Sequence, residues 1–149
     1  MVFHFRLAPL LRIRSLREEL ERERLLRESL KAREAEDRAR KLSELRFETR
    51  EAFLGAQAAF TGSELQFFAN CSACSAIAEA GAKRSAAAAA ISRDEQRKKY
   101  ESAHRDSLIL EKLRERQLEA FRLQEARAEQ KRLDEAHLLV AGRTLRRSL

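Results

Sequence analysis

The sequence predicts an all-α fold, an antiparallel two-helix coiled-coil hairpin with a longer second helix. Three observations carry that expectation. Charged residues make up 37% of the 149 positions and aromatics 6%, while there are four Gly, one Pro and no Trp. A fold with many turns needs more Gly and Pro; a chain dominated by Ala, Glu, Lys, Leu and Arg reads as long helix or coiled coil. The hydrophobic fraction of 44% leans on alanine, so the buried interface should be a narrow seam. Finally, one short break, "FTGSELQ" from Phe60 to Gln66, separates two long stretches of helical pattern.

The first stretch opens at Pro9, which suits the first turn of a helix because its missing N–H costs nothing there. Up to Phe60 it contains no other proline and one glycine, Gly55. Acidic residues precede basic ones by four positions at Glu18/Arg22, Glu23/Arg27, Glu34/Arg38, Glu36/Arg40 and Asp37/Lys41, the favourable direction on an exposed helix. Apolar residues recur at helical steps, first Leu10, Ile13, Leu16 and Leu20, then Leu42, Leu45, Ala52, Ala56 and Ala59. The register slips between the two runs, so the supercoil is expected to be irregular there. In the break, Gly62 permits a reversal, and Thr61/Glu64 and Ser63/Gln66 have capping-box spacing. The second helix then runs without proline to Ala141, where Gly142 supplies a stop. A single hairpin domain over 1–149 follows, with helix 1 about 9–60, a turn at 61–63, helix 2 about 64–141 and a basic tail at 142–149. The helices would measure roughly 76 and 117 Å at 1.5 Å per residue.

Folding back at Gly62 pairs positions whose numbers sum to about 124 in an antiparallel neighbour. Ala32, Ala35 and Ala39 then lie opposite "SAAAAAIS" (85–92), and Phe47 and Phe53 fall opposite small positions such as Ala78 and Cys71. Small against small and large against small suits close packing. Leu10 pairs near Arg114, so residues beyond about 116 have little or no partner on the first helix. That segment begins within "LEKLRERQLEAF" (Leu110 to Phe121), which has six charged residues in twelve and no group placed for chemistry. Glu111, Glu115 and Glu119 stack in one column, and Leu110, Leu113, Leu118, Phe121, Leu133, Leu138 and Leu139 need a surface to bury against. Self-association or docking into another protein would supply it.

The net charge of +7 is concentrated at the ends. Residues 1–17 carry Arg6, Arg12, Arg14 and Arg17 without an acid, and residues 142–149 carry Arg143, Arg146 and Arg147 without an acid. A duplex-binding protein spreads its basic residues along one face, so no nucleic-acid partner is expected. The longest uncharged run, Leu65 to Ala78, has 14 residues, short of the roughly 20 that a spanning helix needs. The opening "MVFHFRLAPLLRIR" has arginines within its apolar part and is a poor secretory signal. These features lead to the expectation of a soluble cytoplasmic protein without direct membrane insertion.

Cys71 and Cys74 form a C-x-x-C. A structural zinc site needs four ligands, usually a second pair, whereas His4, His104 and His137 are scattered. A redox C-x-x-C needs a βαβ setting that this pattern lacks. The pair therefore reads as small seam residues. With no phosphate loop, paired carboxylates in a cleft or nucleophile–base pair, the expectation is no catalytic residue, no metal, no cofactor and no enzyme activity.

At the two ends the chain resembles a known family. "F-x-F…L-x-x-L-L-x-I-R" at the N-terminus and "LEKLRERQLEAFRLQEARAEQKRLDEA" near the C-terminus resemble the flagellar export protein FliJ, and the length and two-helix layout fit too. The middle departs, with an alanine-rich "AKRSAAAAAIS" and the cysteine pair. The resemblance implies an antiparallel coiled coil like the central stalk of rotary ATPases. It implies insertion into the flagellar export ATPase hexamer, stimulation of it, contact with the cytoplasmic part of the export gate, and interaction with export chaperones. It places the protein in the cytoplasm, peripheral at the export apparatus of the inner membrane. By motif, the ring-contacting residues would be Leu10, Arg12, Arg14, Leu113, Arg114, Arg116, Phe121, Lys131, Asp134 and Glu135. The export-gate contact would fall to Phe47, Phe53, Phe67 and Phe68. The alternatives are a generic coiled-coil scaffold and the injectisome counterpart of the same stalk.

Overall fold

A computed structural model describes residues 3–56 and 59–147, with side chains as far as 138. It is all-α: α1 spans Ala8–Ala56 and α2 spans Gly62–Arg147. The two form an antiparallel helical hairpin with the longer helix second. The chain divides into two compact units, one of residues 1–16 with 104–149 and one of residues 17–103.

The helix ends follow local chemistry. The amide of Ala8 donates to the carbonyl of Phe5 (3.0 Å) and that of Leu11 to Leu7 (2.9 Å). Pro9 therefore sits in the first turn, where no intrahelical donor is missed. At α2, the Leu65 amide donates to the Thr61 carbonyl (3.0 Å), while the Thr61 amide and hydroxyl both donate to one Glu64 oxygen (2.7 Å each). Thr61 is the cap and Gly62 the first helical residue, so α2 begins two residues before the expected start. The backbone N–H of Thr61 is the largest influence holding the Glu64 carboxyl below its usual range, followed by the Thr61 hydroxyl. No described glycine has a positive φ, so Gly62 serves as a helix start and not as the reversal. α1 is described to Ala56, residues 57 and 58 lying outside the described residues, and α2 continues through Gly142 to Arg147, where a tail is expected. A glycine within a helix costs about 1 kcal/mol and does not by itself end it.

In the unit of residues 17–103 the tightest packing is alanine. Ala32 is 1% exposed, and Ala35 and Ala39 are also buried. The Ser92 hydroxyl donates to Glu28 (3.0 Å) and the Ser43 hydroxyl to Glu79 (2.6 Å). These two links bracket the alanines and set them against the half-buried Ala82, Ala86, Ala89 and Ala90, as the pairing arithmetic anticipated. Alanines on both helices permit a close approach of the backbones, and that fixes the register.

From these alanines the less exposed positions of α1 recur in unbroken steps of three and four: Leu7, Leu11, Arg14, Glu18, Glu21, Leu25, Glu28, Ala32, Ala35, Ala39, Leu42 and Arg46. The anticipated slip does not occur. The anticipated seam residues Leu10, Ile13, Leu16 and Leu20 are 40%, 62%, 52% and 55% exposed. Five of these twelve positions are polar, and hydrogen bonds to α2 satisfy Arg14, Glu21, Glu28 and Arg46. The Gln96 side-chain amide donates to both the carbonyl and the carboxylate of Glu21.

Candidate functional site

The residues singled out from sequence fall into two groups, one in each unit. In the unit of residues 1–16 with 104–149, the N-terminal segment packs on α2. Phe5 is 5% exposed, and the rings of Phe3 and Phe121 lie 5.7 Å apart at 53°, within the range of favourable aromatic pairs. Arg14 donates to Asp106 (2.6 Å) with both side chains partly exposed. Ser107 is 1% exposed and its hydroxyl has no partner. Leu110, Leu113, Leu118 and Phe121 are half-buried, and every side chain from Arg122 to Leu138 is exposed.

The partnered part of α2 thus extends to Phe121, five residues beyond the expected limit. The residues before the first helix, which the pairing arithmetic left out, reach it. Of the ten positions assigned to this end, Leu10, Arg12, Arg114, Arg116, Lys131, Asp134 and Glu135 are exposed. Arg14, Leu113 and Phe121 are drawn into the unit's own packing. Asp134 accepts a hydrogen bond from Gln130 (3.2 Å). The exposed side chains from 122 to 138 include Leu123, Leu133 and Leu138, at 53%, 53% and 73%. The expectation for Leu139 falls on side chains outside the described residues.

In the unit of residues 17–103 the aromatics gather near the end of α1. Phe53 stacks on Phe68 with centroids 3.7 Å apart and planes at 9°, and the Phe60 ring lies 5.5 Å from Phe53, also at 9°. Phe47 and Phe67 are 65% and 71% exposed. The expected placement of Phe47 and Phe53 against Ala78 and Cys71 is therefore incorrect: Phe53 meets Phe68, because the helices pair here a few positions out of the assumed register. Sequence reasoning had set large residues against small ones, and the parallel ring stack replaces that arrangement.

Beside the stack is a cavity of about 470 Å³. Its walls include Leu42, Phe53, Leu65 and Phe68, and Arg46 and Arg50 are the charged residues that line it. Beyond it, Glu79 is 8% exposed and accepts hydrogen bonds from Ser43, Arg46 and Lys83, each at 2.6 Å. These bonds, Lys83 first, then Ser43 and Arg46, lower its carboxyl pKa from 4.5 to about 2. This buried acid was not singled out from sequence. Its signal was an acid within an otherwise small-residue run, facing Ser43 and Arg46 on the other helix.

Cys71 and Cys74 are both exposed, which corrects their reading as seam residues. The seam on α2 follows Leu65, Phe68, Ser75 and Glu79, and the cysteines lie to one side of that line. Among the described residues there is no group of three or more metal-ligating side chains, and no helix is long and apolar enough to cross a membrane.

A family model described as the flagellar FliJ protein matches residues 3–146. The chain matches no curated protein and no solved structure in the comparisons. The family match covers nearly the whole hairpin, including both end motifs and the exposed leucine-bearing part of α2, and the chain belongs to the FliJ family of flagellar export components.

Proposed function

We propose that the protein is a coiled-coil stalk that inserts into the flagellar export ATPase hexamer and stimulates it, linking it to the cytoplasmic part of the export gate and to export chaperones. The observation that carries this reading is the stretch of α2 from 122 to 138, in which every side chain is exposed and leucines stay at the surface among charges, in a chain of the FliJ family. Exposed leucines cost solubility unless a partner covers them. Charges beside them give a docking surface direction and speed encounter more than they add affinity.

Ring contact falls to Leu10, Arg12, Arg114, Arg116, Lys131, Asp134 and Glu135 directly. Arg14, Leu113 and Phe121 hold the shape of the surface from within. Phe47 and Phe67 are the gate-contact residues, and Phe53 and Phe68 support them through their stack. The protein contributes no chemistry of its own in this reading, and its place is the cytoplasmic side of the export apparatus at the inner membrane.

The test is the hydrolysis rate of the cognate export ATPase as the chain is titrated in, with Leu113→Glu and Arg116→Glu alongside. Stimulation that Arg116→Glu loses while its helicity is unchanged supports the reading. Absence of stimulation by the folded wild-type chain returns the protein to a helical scaffold.

A further inference from the structure

We propose that the cavity beside the Phe53/Phe68 stack is a binding site for a small amphipathic carboxylate, with its apolar body among Leu42, Phe53, Leu65 and Phe68 and its charge on Arg50. This inference is independent of the stalk reading. A cavity of about 470 Å³ lies within the size range of small-molecule sites, which combine apolar walls with a few convergent polar groups.

Charge selects the ligand class. Arg46 and Arg50 line the cavity and no carboxylate does. At 100° per residue these two arginines share a face of α1 with Phe53, while Glu44, Glu48 and Glu51 turn away from it. Glu79, the acid near the cavity, is already matched by Arg46 and Lys83. Arg50 makes no hydrogen bond or ion pair among the described residues, so its guanidinium is free to take a carboxylate in bidentate fashion. The aromatic stack supplies a flat apolar surface for a ring or a short chain.

The two cysteines provide a built-in reporter. Both are exposed, yet Cys71 lines the cavity and Cys74 does not. The experiment measures alkylation of each thiol by iodoacetamide in the full chain, by peptide mass mapping, with 1-naphthoate or its neutral amide as the probe. At about ten times its Kd, 1-naphthoate should slow Cys71 by about tenfold and leave Cys74 unchanged. The amide should protect about tenfold less well, and Arg50→Gln should weaken naphthoate by a similar factor. Ser72→Leu, which places an isobutyl group at the cavity wall, should abolish protection with helicity retained. Equal slowing of both thiols, no slowing of either, or equal protection by acid and amide would each overturn the proposal.

Discussion

Replacing Ala32 by leucine should damage this protein more than removing an exposed leucine from the same helix. Ala32 is 1% exposed between two helices held close by alanines, so three extra carbons have no volume to enter. Overpacking of this kind costs about 1–3 kcal/mol, and the helix propensities of Ala and Leu differ too little to change that. Leu20 is 55% exposed. Burying a leucine fully stabilises by about 1.5–3 kcal/mol, and with less than half of that surface removed, Leu20→Ala should cost about 1 kcal/mol or less. Alanine's better propensity offsets a little of it.

Urea unfolding followed by circular dichroism separates the two. With a slope near 2 kcal/mol per molar, Ala32→Leu should lower the midpoint by about 0.5–1.5 M and Leu20→Ala by less than about 0.5 M. A reading of apolar periodicity alone predicts the reverse, with about 2–5 kcal/mol lost at Leu20. A large loss at Leu20 together with a neutral Ala32→Leu would refute the alanine-centred seam.

Glu79 binds more protons unfolded than folded at mildly acidic pH, because folding lowers its pKa from 4.5 to about 2. Its contribution is therefore complete above pH 4.5 and lost as pH falls towards 2, and the stability gap between wild type and Glu79→Gln should close over that window in an acid titration of unfolding midpoints. A Cβ at Gly81 meets nothing within 4 Å, so Gly81→Ala should stabilise by up to about 1 kcal/mol in thermal or urea unfolding. The Phe3/Phe121 contact should appear as a coupling of about 0.5–1.5 kcal/mol in a double-mutant cycle of Phe3→Ala and Phe121→Ala. Thr61→Ala, which removes the hydroxyl held by Glu64, should cost about 1 kcal/mol by the same unfolding measurement.

The parts of this structure legible in the sequence are those set by local chemistry. Pro9, the Thr61/Glu64 pair and the shortage of breakers marked two helices, and the alanine-rich run marked where the helices come closest. The face each helix presents was less legible. Leucines at 10, 16 and 20 made the stronger pattern, yet they are exposed, while Arg14, Glu21 and Glu28 take less exposed positions. Those polar groups find partners such as Asp106 and Gln96, many residues away in sequence, so nothing local announces them. The cysteines were misplaced for the same reason: one position along a helix rotates a side chain by about 100° and moves it off the seam. At the candidate site the end motifs mark a part of α2 that is largely exposed, but Phe121 is already occupied by Phe3. The cavity depended on an interhelical gap that composition does not encode.

The central claim is that this 17.2 kDa chain acts as a single stalk within a ring. Mass photometry of the cognate export ATPase with the chain in excess tests it directly. The account predicts a complex of six ATPase subunits carrying one copy of the chain, lost with Arg116→Glu. One chain bound to each subunit, or hexamers with no added mass, would contradict it.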